Sequence, residues 1–195
     1  MTKRVFIIHG WDGYPEEGIF PWLKQELESR NFEVYNPAMP NPIKPVIEEW
    51  VPFLAQKVGK PDENTFLFGH SIGCQTILRY LQSLPKNSKI GGVVLLAPWV
   101  HLTDDAFEDE EDKITAKPWL ETPLNWDEIK ARTAGFAAIF SDNDPLVPLD
   151  DSDIFKNKLG AKIIIEQDKG HFSGGDGITE LPSALNSVLE LVKNE

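Results

Sequence analysis

The run Thr65-Phe66-Leu67-Phe68-Gly69-His70-Ser71-Ile72-Gly73-Cys74-Gln75-Thr76-Ile77-Leu78-Arg79-Tyr80-Leu81 decides the reading of this chain. Thr65 to Phe68 is short and apolar and predicts a buried strand. Behind it Ile77, Leu78 and Leu81 recur at helical spacing. Between the two stands Gly-x-Ser-x-Gly. In that pattern the chain reverses so tightly from strand to helix that the residues two before and two after the serine must be tiny. The hydroxyl is then exposed at the strand's end, over the N-terminus of the next helix. The pentapeptide alone is weak evidence, because at ordinary glycine and serine frequencies roughly one chain in fifteen of this length carries it by chance. A glycine-rich turn in any α/β protein has the same letters, so the residues downstream must settle its meaning.

Working outward, apolar runs alternate with helical periodicity. Val5 to Ile8 is apolar throughout, as a strand covered on both faces is. A helix is expected over Trp22 to Glu28 and a short strand over Glu33 to Asn36. Pro37, Pro40, Pro42 and Pro45 then impose a rigid loop. Val46, Trp50, Phe53, Leu54 and Val58 mark a second helix, ended by Gly59 and Pro61. Beyond the serine run, strands are expected at Gly92–Leu96, Gly135–Phe140 and Ala161–Ile165. Helices are expected at Asp151–Leu159 and near Glu180–Val192. Strands alternating with helices predict an α/β fold, a doubly wound three-layer sandwich on a parallel sheet of six strands. One stretch breaks the pattern: residues 97–133 show no strand, and read as a loop or lid-like insertion in a single domain spanning 1–195.

Composition narrows the function classes. A length of 195 residues fits one domain, and 41% hydrophobic residues are ordinary for a globular fold. The net charge of −12 argues against nucleic acid or an anionic membrane surface as a partner. Cys74 is the only cysteine, so no intrachain disulfide can form. It reads as a small packed side chain. The N-terminal residues pass directly into an apolar segment too short for a secretion signal or membrane anchor, so a soluble cytoplasmic protein is expected.

A reactive serine needs a base, and the base needs an orienting carboxylate. Ser141-Asp142-Asn143-Asp144-Pro145 follows the fifth strand, and Asp168-Lys169-Gly170-His171-Phe172 follows the sixth. Ser71, an aspartate and His171 therefore each stand just beyond the C-terminal end of a strand, in the order that a hydrolytic triad requires. A lone loop histidine is often idle; its register with the serine favours His171 as the base. Asp144 ranks ahead of Asp142, whose side chain can instead brace the turn. The oxyanion needs two backbone donors, expected at Ile72 and at Trp11 after the first strand. Trp11's indole is then free either to wall a pocket or to join the core. His70 and His9 read as structural, and His101 has no assigned role.

These residues, His9-Gly10-Trp11, Gly69-His70-Ser71-Ile72-Gly73, Asp144 and Gly170-His171-Phe172, resemble the α/β-hydrolase superfamily. With the short N-terminus and Ala97-Pro98-Trp99, the chain resembles the branch of small serine hydrolases typified by YdeN and retinoblastoma-binding protein nine. The resemblance implies a sheet ordered 2-1-3-4-5-6. It implies hydrolysis of a small ester, in the carboxylesterase class, with no metal and no organic cofactor. Rival readings are cleavage of an amide or peptide, and a protein-interaction module on a hydrolase scaffold. The acids at 104–112 lack the glycine turn and alternation of a calcium loop. They must face water, which leaves Trp99 and Trp119 as inward anchors. Together with Trp11 they are expected to wall the acyl pocket, favouring short or aromatic acyl groups and an uncharged substrate.

Overall fold

Strands β1 (Arg4–Ile8), β2 (Glu33–Tyr35), β3 (Thr65–His70), β4 (Gly92–Leu96), β5 (Phe136–Ser141) and β6 (Lys162–Glu166) form one sheet, ordered β2-β1-β3-β4-β5-β6. Every pairing is parallel. The computed structural model describes residues 2–193. Helices α1 (Phe20–Glu28), α2 (Ile47–Val58), α3 (Ile72–Ser83), α4 (Glu110–Glu121), α5 (Trp126–Lys130), α6 (Asp151–Leu159) and α7 (Pro182–Lys193) complete the element order. The expected α/β architecture and strand order are both present.

Continuous apolar strands are what a sheet covered on both faces demands, because successive side chains point to opposite sides. Phe6, Ile8, Leu67, Val93, Leu95 and Phe140 pack with Trp50 and Leu54 of α2, Ile77 of α3, Ile129 of α5 and Phe155 of α6. Their neighbours Val5, Ile7, Phe66, Phe68, Val94 and Ile139 pack instead with Leu23 and Leu27 of α1 and Val188 of α7. The two edges differ from the centre. β2 has three residues and β6 carries Lys162 and Glu166, both features that discourage further strand pairing. The first buried layer sets α3 deep between sheet and neighbouring helices, so every residue from Ile72 to Leu81 is buried.

Residues 97–133, read from sequence as a loop-like insertion, contain two α-helices and a short 3₁₀ helix at Asp104–Ala106. Asp109 caps α4 by accepting from the amides of Glu111 and Asp112, which satisfies two of the donors every helix start leaves open. Only Ala116 and Trp119 of α4 are buried. α5 packs on α3 and α6 and serves as the crossover between β4 and β5. At the other end of α4, buried Arg79 donates to the carbonyls of Trp119 and Thr122 at 2.7 and 3.0 Å. A cation there suits a helix C-terminus.

Candidate active site

Ser71 joins β3 to α3 with φ 52° and ψ −118°. A side chain held at positive φ costs on the order of 1–3 kcal/mol and persists only where its surroundings dictate it. They do here. A Cβ on Gly73 would lie 2.4 Å from the Ile8 carbonyl oxygen, and one on Gly69 would lie 2.9 Å from the Cys74 nitrogen. The serine's own amide donates to Leu96 across the sheet at 2.9 Å. Cys74 is packed behind the turn with its Sγ near the Gly69 and Leu96 carbonyls, and burial pushes its thiol up. It is a structural cysteine, as its position suggests.

Asp144 and His171 meet across the neighbouring loops. His171 Nδ1 donates to Asp144 Oδ2 at 2.8 Å. The other carboxylate oxygen accepts from the amides of Leu146 and Val147 at 2.8 and 3.1 Å. The Asp144 side chain is 3% exposed and the His171 side chain 11%. An imidazole that donates its Nδ1 proton to Asp144 has Nε2 left to accept a proton. Asp142 does not bond His171; its Oδ1 accepts from the Asp168 amide at 2.9 Å. That is the turn-bracing role open to it.

Two further residues hold the loop that carries His171. Ser141 Oγ accepts from Lys169 N at 3.1 Å, and Asn143 Oδ1 accepts from Gly170 N at 2.8 Å. With Asp142, they bind three consecutive amides of the histidine loop. That loop is tightly coiled, since Asp168, Gly170 and Phe172 all have φ between 54° and 57°. Sequence reasoning passed over Ser141 and Asn143. The available signal was an unbroken polar run directly after a buried strand.

The remaining histidines sort by their bonds. His70 Nε2 donates to the His171 carbonyl at 2.7 Å, and its ring lies 5.0 Å from the His171 ring. Burial, with His171 adding to it, holds His70 down at about 3, so it is neutral near neutral pH. His9 donates from Nδ1 to Gly10 and accepts at Nε2 from the Met39 amide, both at 2.9 Å. Burial lowers it as well. His101, unassigned from sequence, bonds buried Asp151 at 2.7 Å. Asp151 also accepts from the amides of Val100 and His101, tying the start of α6 to the segment after β4.

Ser71, Ile72 and His171 line one cavity of about 480 Å³, walled by Trp11, Trp99, Leu102 and Leu146. Of the expected wall residues, Trp11 and Trp99 are in place and Trp119 is not. Trp119 lies in the core, edge-on to Trp50 with ring centroids 6.3 Å apart. The physical reason is its polar end: a buried indole N–H needs an acceptor. Trp119 finds it in the Pro45 carbonyl at 3.0 Å, on the α2 side and away from Ser71's cavity. Trp11 is anchored similarly by the Ile43 carbonyl at 2.9 Å, while its amide has no acceptor among the described residues. Ile72 opens α3, where the first amides have no intrahelical partner. Among the described residues, no cluster of three or more His, Cys, Asp or Glu could hold a metal. No helix among them is long and apolar enough to cross a membrane.

The family model for serine hydrolases matches residues 5–190, a span that includes the elbow, the acid loop and the histidine loop. The chain belongs to the serine hydrolase family. YdeN of Bacillus subtilis is 31% identical over 201 residues, covering all of this chain and 99% of that protein. The serine hydrolase RBBP9 of Rattus norvegicus is 27% identical, over 93% of this chain and 87% of the rat protein. The crystal structure of YdeN superposes with a TM-score of 0.87 at 29% identity, over 98% of this chain and all of that one. Est1E from Butyrivibrio proteoclasticus, solved with ferulic acid bound, shares the fold at 14% identity with a TM-score of 0.73, covering 98% and 90% of the two chains. For this serine hydrolase, the agreement extends along the whole chain, including the connection that carries α4 and α5.

Proposed function

We propose that this chain hydrolyses small carboxylic esters through an acyl-enzyme formed on Ser71. The observation that carries the reading is the bond from buried Asp144 to His171, which lines the same cavity as Ser71. In this mechanism Ser71 Oγ attacks the ester carbonyl as His171 Nε2 takes its proton. Asp144 keeps the Nδ1 proton in place and stabilises the imidazolium. The amides of Ile72 and Trp11 bind the oxyanion. Collapse expels the alcohol, which takes the proton from His171. Water then enters, gives its proton to His171 and attacks the acyl carbon, and the acid leaves as Ser71 is reprotonated. Every step uses the chain's own groups.

A fluorophosphonate probe tests this directly. It is expected to label the peptide containing Ser71, and Ser71→Ala is expected to abolish labelling while circular dichroism stays native. Ester hydrolysis should fall about 10⁴- to 10⁶-fold. Asp144→Asn should lower kcat on the order of 10⁴-fold by favouring the wrong tautomer, and Asp142→Asn far less. More than a tenth of the activity surviving in Ser71→Ala would overturn the assignment. Parallel rates on an ester and its anilide separate esterase from amidase action.

A further inference from the structure

The cavity over Ser71 is lined by five carboxylate side chains, Asp12, Glu17, Glu108, Asp112 and Asp176, and by no lysine or arginine. They come from connections far apart in sequence: the turns after β1 and before α1, the segment that enters α4, and the stretch between β6 and α7. Three have structural duties. Glu17 accepts from the Gly174 amide at 3.1 Å, Asp112 from the Glu108 amide at 2.8 Å, and Asp176 from the amide and hydroxyl of Ser173, both at 2.8 Å. Asp12 and Glu108 have none: their side chains make no hydrogen bond or ion pair among the described residues. Nearby lysines are spent elsewhere, Lys44 on Glu111 and Lys113 on Glu110.

A group of acids on so acidic a chain says little alone. Here it surrounds a polar side chain that itself points to a ligand. Ser71 is nine-tenths buried, has no side-chain hydrogen bond among the described residues, and opens into this cavity. The walls add a second feature, for the partly exposed Trp11 brings an aromatic ring to the same space, backed by buried Trp99. Ring faces attract cations, quaternary ammonium groups above all. Like charges focused at the mouth of a low-dielectric cleft raise the local concentration of the opposite charge and repel their own.

We infer that the cavity selects esters bearing a positive charge, an ammonium or quaternary ammonium group on the part of the substrate that reaches the rim. This rests on the hydrolase reading of Ser71 and replaces the sequence-based expectation of an uncharged substrate. An anionic ester would meet five carboxylates without a compensating cation.

Three p-nitrophenyl esters with one leaving group test the inference: 4-(trimethylammonio)butanoate, its neutral isostere 5,5-dimethylhexanoate, and the anionic glutarate half-ester. The cationic ester should exceed the isostere about tenfold or more in kcat/KM, and the anionic one should be poorest. Raising the salt from about 25 to 500 mM should erode the cation's advantage, because the screening length shortens several-fold. In the double variant Asp12→Asn, Glu108→Gln, the ratio of cationic to neutral rates should drop at least threefold. A wild-type ratio near one, or one that the double variant leaves unmoved, overturns the rim assignment while leaving the hydrolase reading intact. Failure to turn over any of the esters, with no fluorophosphonate labelling of Ser71, sinks both.

Discussion

The β3–α3 elbow and the β4–β5 connection both border the Ser71 cavity, yet they are specified in opposite ways. At the elbow the backbone leaves no choice. The approach of α3 to β1 at Gly73 admits no Cβ, and Ser71 is held at positive φ by what surrounds it. In the connection, α4 is exposed except for Ala116 and Trp119, and most of its positions face only water. A tight backbone approach dictates residue types locally, whereas a helix resting on a few anchors leaves most of its letters free. The same contrast separates Trp99, at the start of the connection and against the cavity, from Trp119, which is buried away from it.

The sharpest way to break this comparison is Gly73→Ala. Its Cβ would meet two backbone oxygens, Ile8 at 2.4 Å and His9 at 2.7 Å, so α3 would have to leave the sheet. The expected outcome is a loss of at least about 4 kcal/mol, or no folded protein, by urea denaturation. A native midpoint would show that the elbow is less constrained than its geometry indicates.

Trp119→Ala tests the other side. Removing a fully buried tryptophan should cost about 3–5 kcal/mol, while KM for a short ester stays within about twofold of the parent. A large rise in KM in the folded variant would return Trp119 to the pocket.

His70 gives an effect that pH resolves. Its folded value of about 3 lies below its ordinary 6.5, so between those limits the unfolded chain binds a proton that the folded chain does not. Stability is therefore fully present above about pH 6.5 and falls on acidification, by up to about 1.4 kcal/mol per pH unit for one such group. His9, also lowered by burial, acts in the same direction. His70→Asn should have a lower midpoint at pH 7 and a shallower loss between pH 6.5 and 4.5. Equal slopes in the two proteins would remove His70 from the account.

The smallest effect belongs to the exposed face of α4. Lys113→Ala breaks a fully exposed pair with Glu110, and the urea midpoint should not move measurably. A clear shift would mean that this face carries more of the fold than its exposure implies.

These differences also explain what could be read in advance. The four central strands were legible because burial on both faces leaves an apolar run, whereas the more exposed edge strands β2 and β6 were read from their place in the alternation. The positions of Ser71, Asp144 and His171 were legible because each stands just past a strand. Helix α4 was not legible, since two buried residues cannot make a periodic signal and Pro118 lies inside it. Asp109 before an acidic first turn was the cue available. The place of Trp119 could not be read either, because its acceptor, the Pro45 carbonyl, lies 74 residues away. Ser141 and Asn143 were missed because their partners are amides of another loop. Residue types dictated within one turn of chain are visible in sequence; partnerships across the fold are not.

The three side chains at 141–143 tie the acid loop to the histidine loop through consecutive amides. None of those bonds reaches the segment that brings Glu108 and Asp112 to the cavity mouth. That segment has its own tie to the acid loop, for the amide and hydroxyl of Thr103 donate to the carbonyls of Leu146 and Pro145 at 3.0 and 2.5 Å. Descendants of this chain can exchange residues at 104–112, or lengthen that stretch, and so drift toward new substrates. Changes that keep Thr103 would keep the hold on Pro145 and Leu146, and with it the backing of the Asp144 carboxylate.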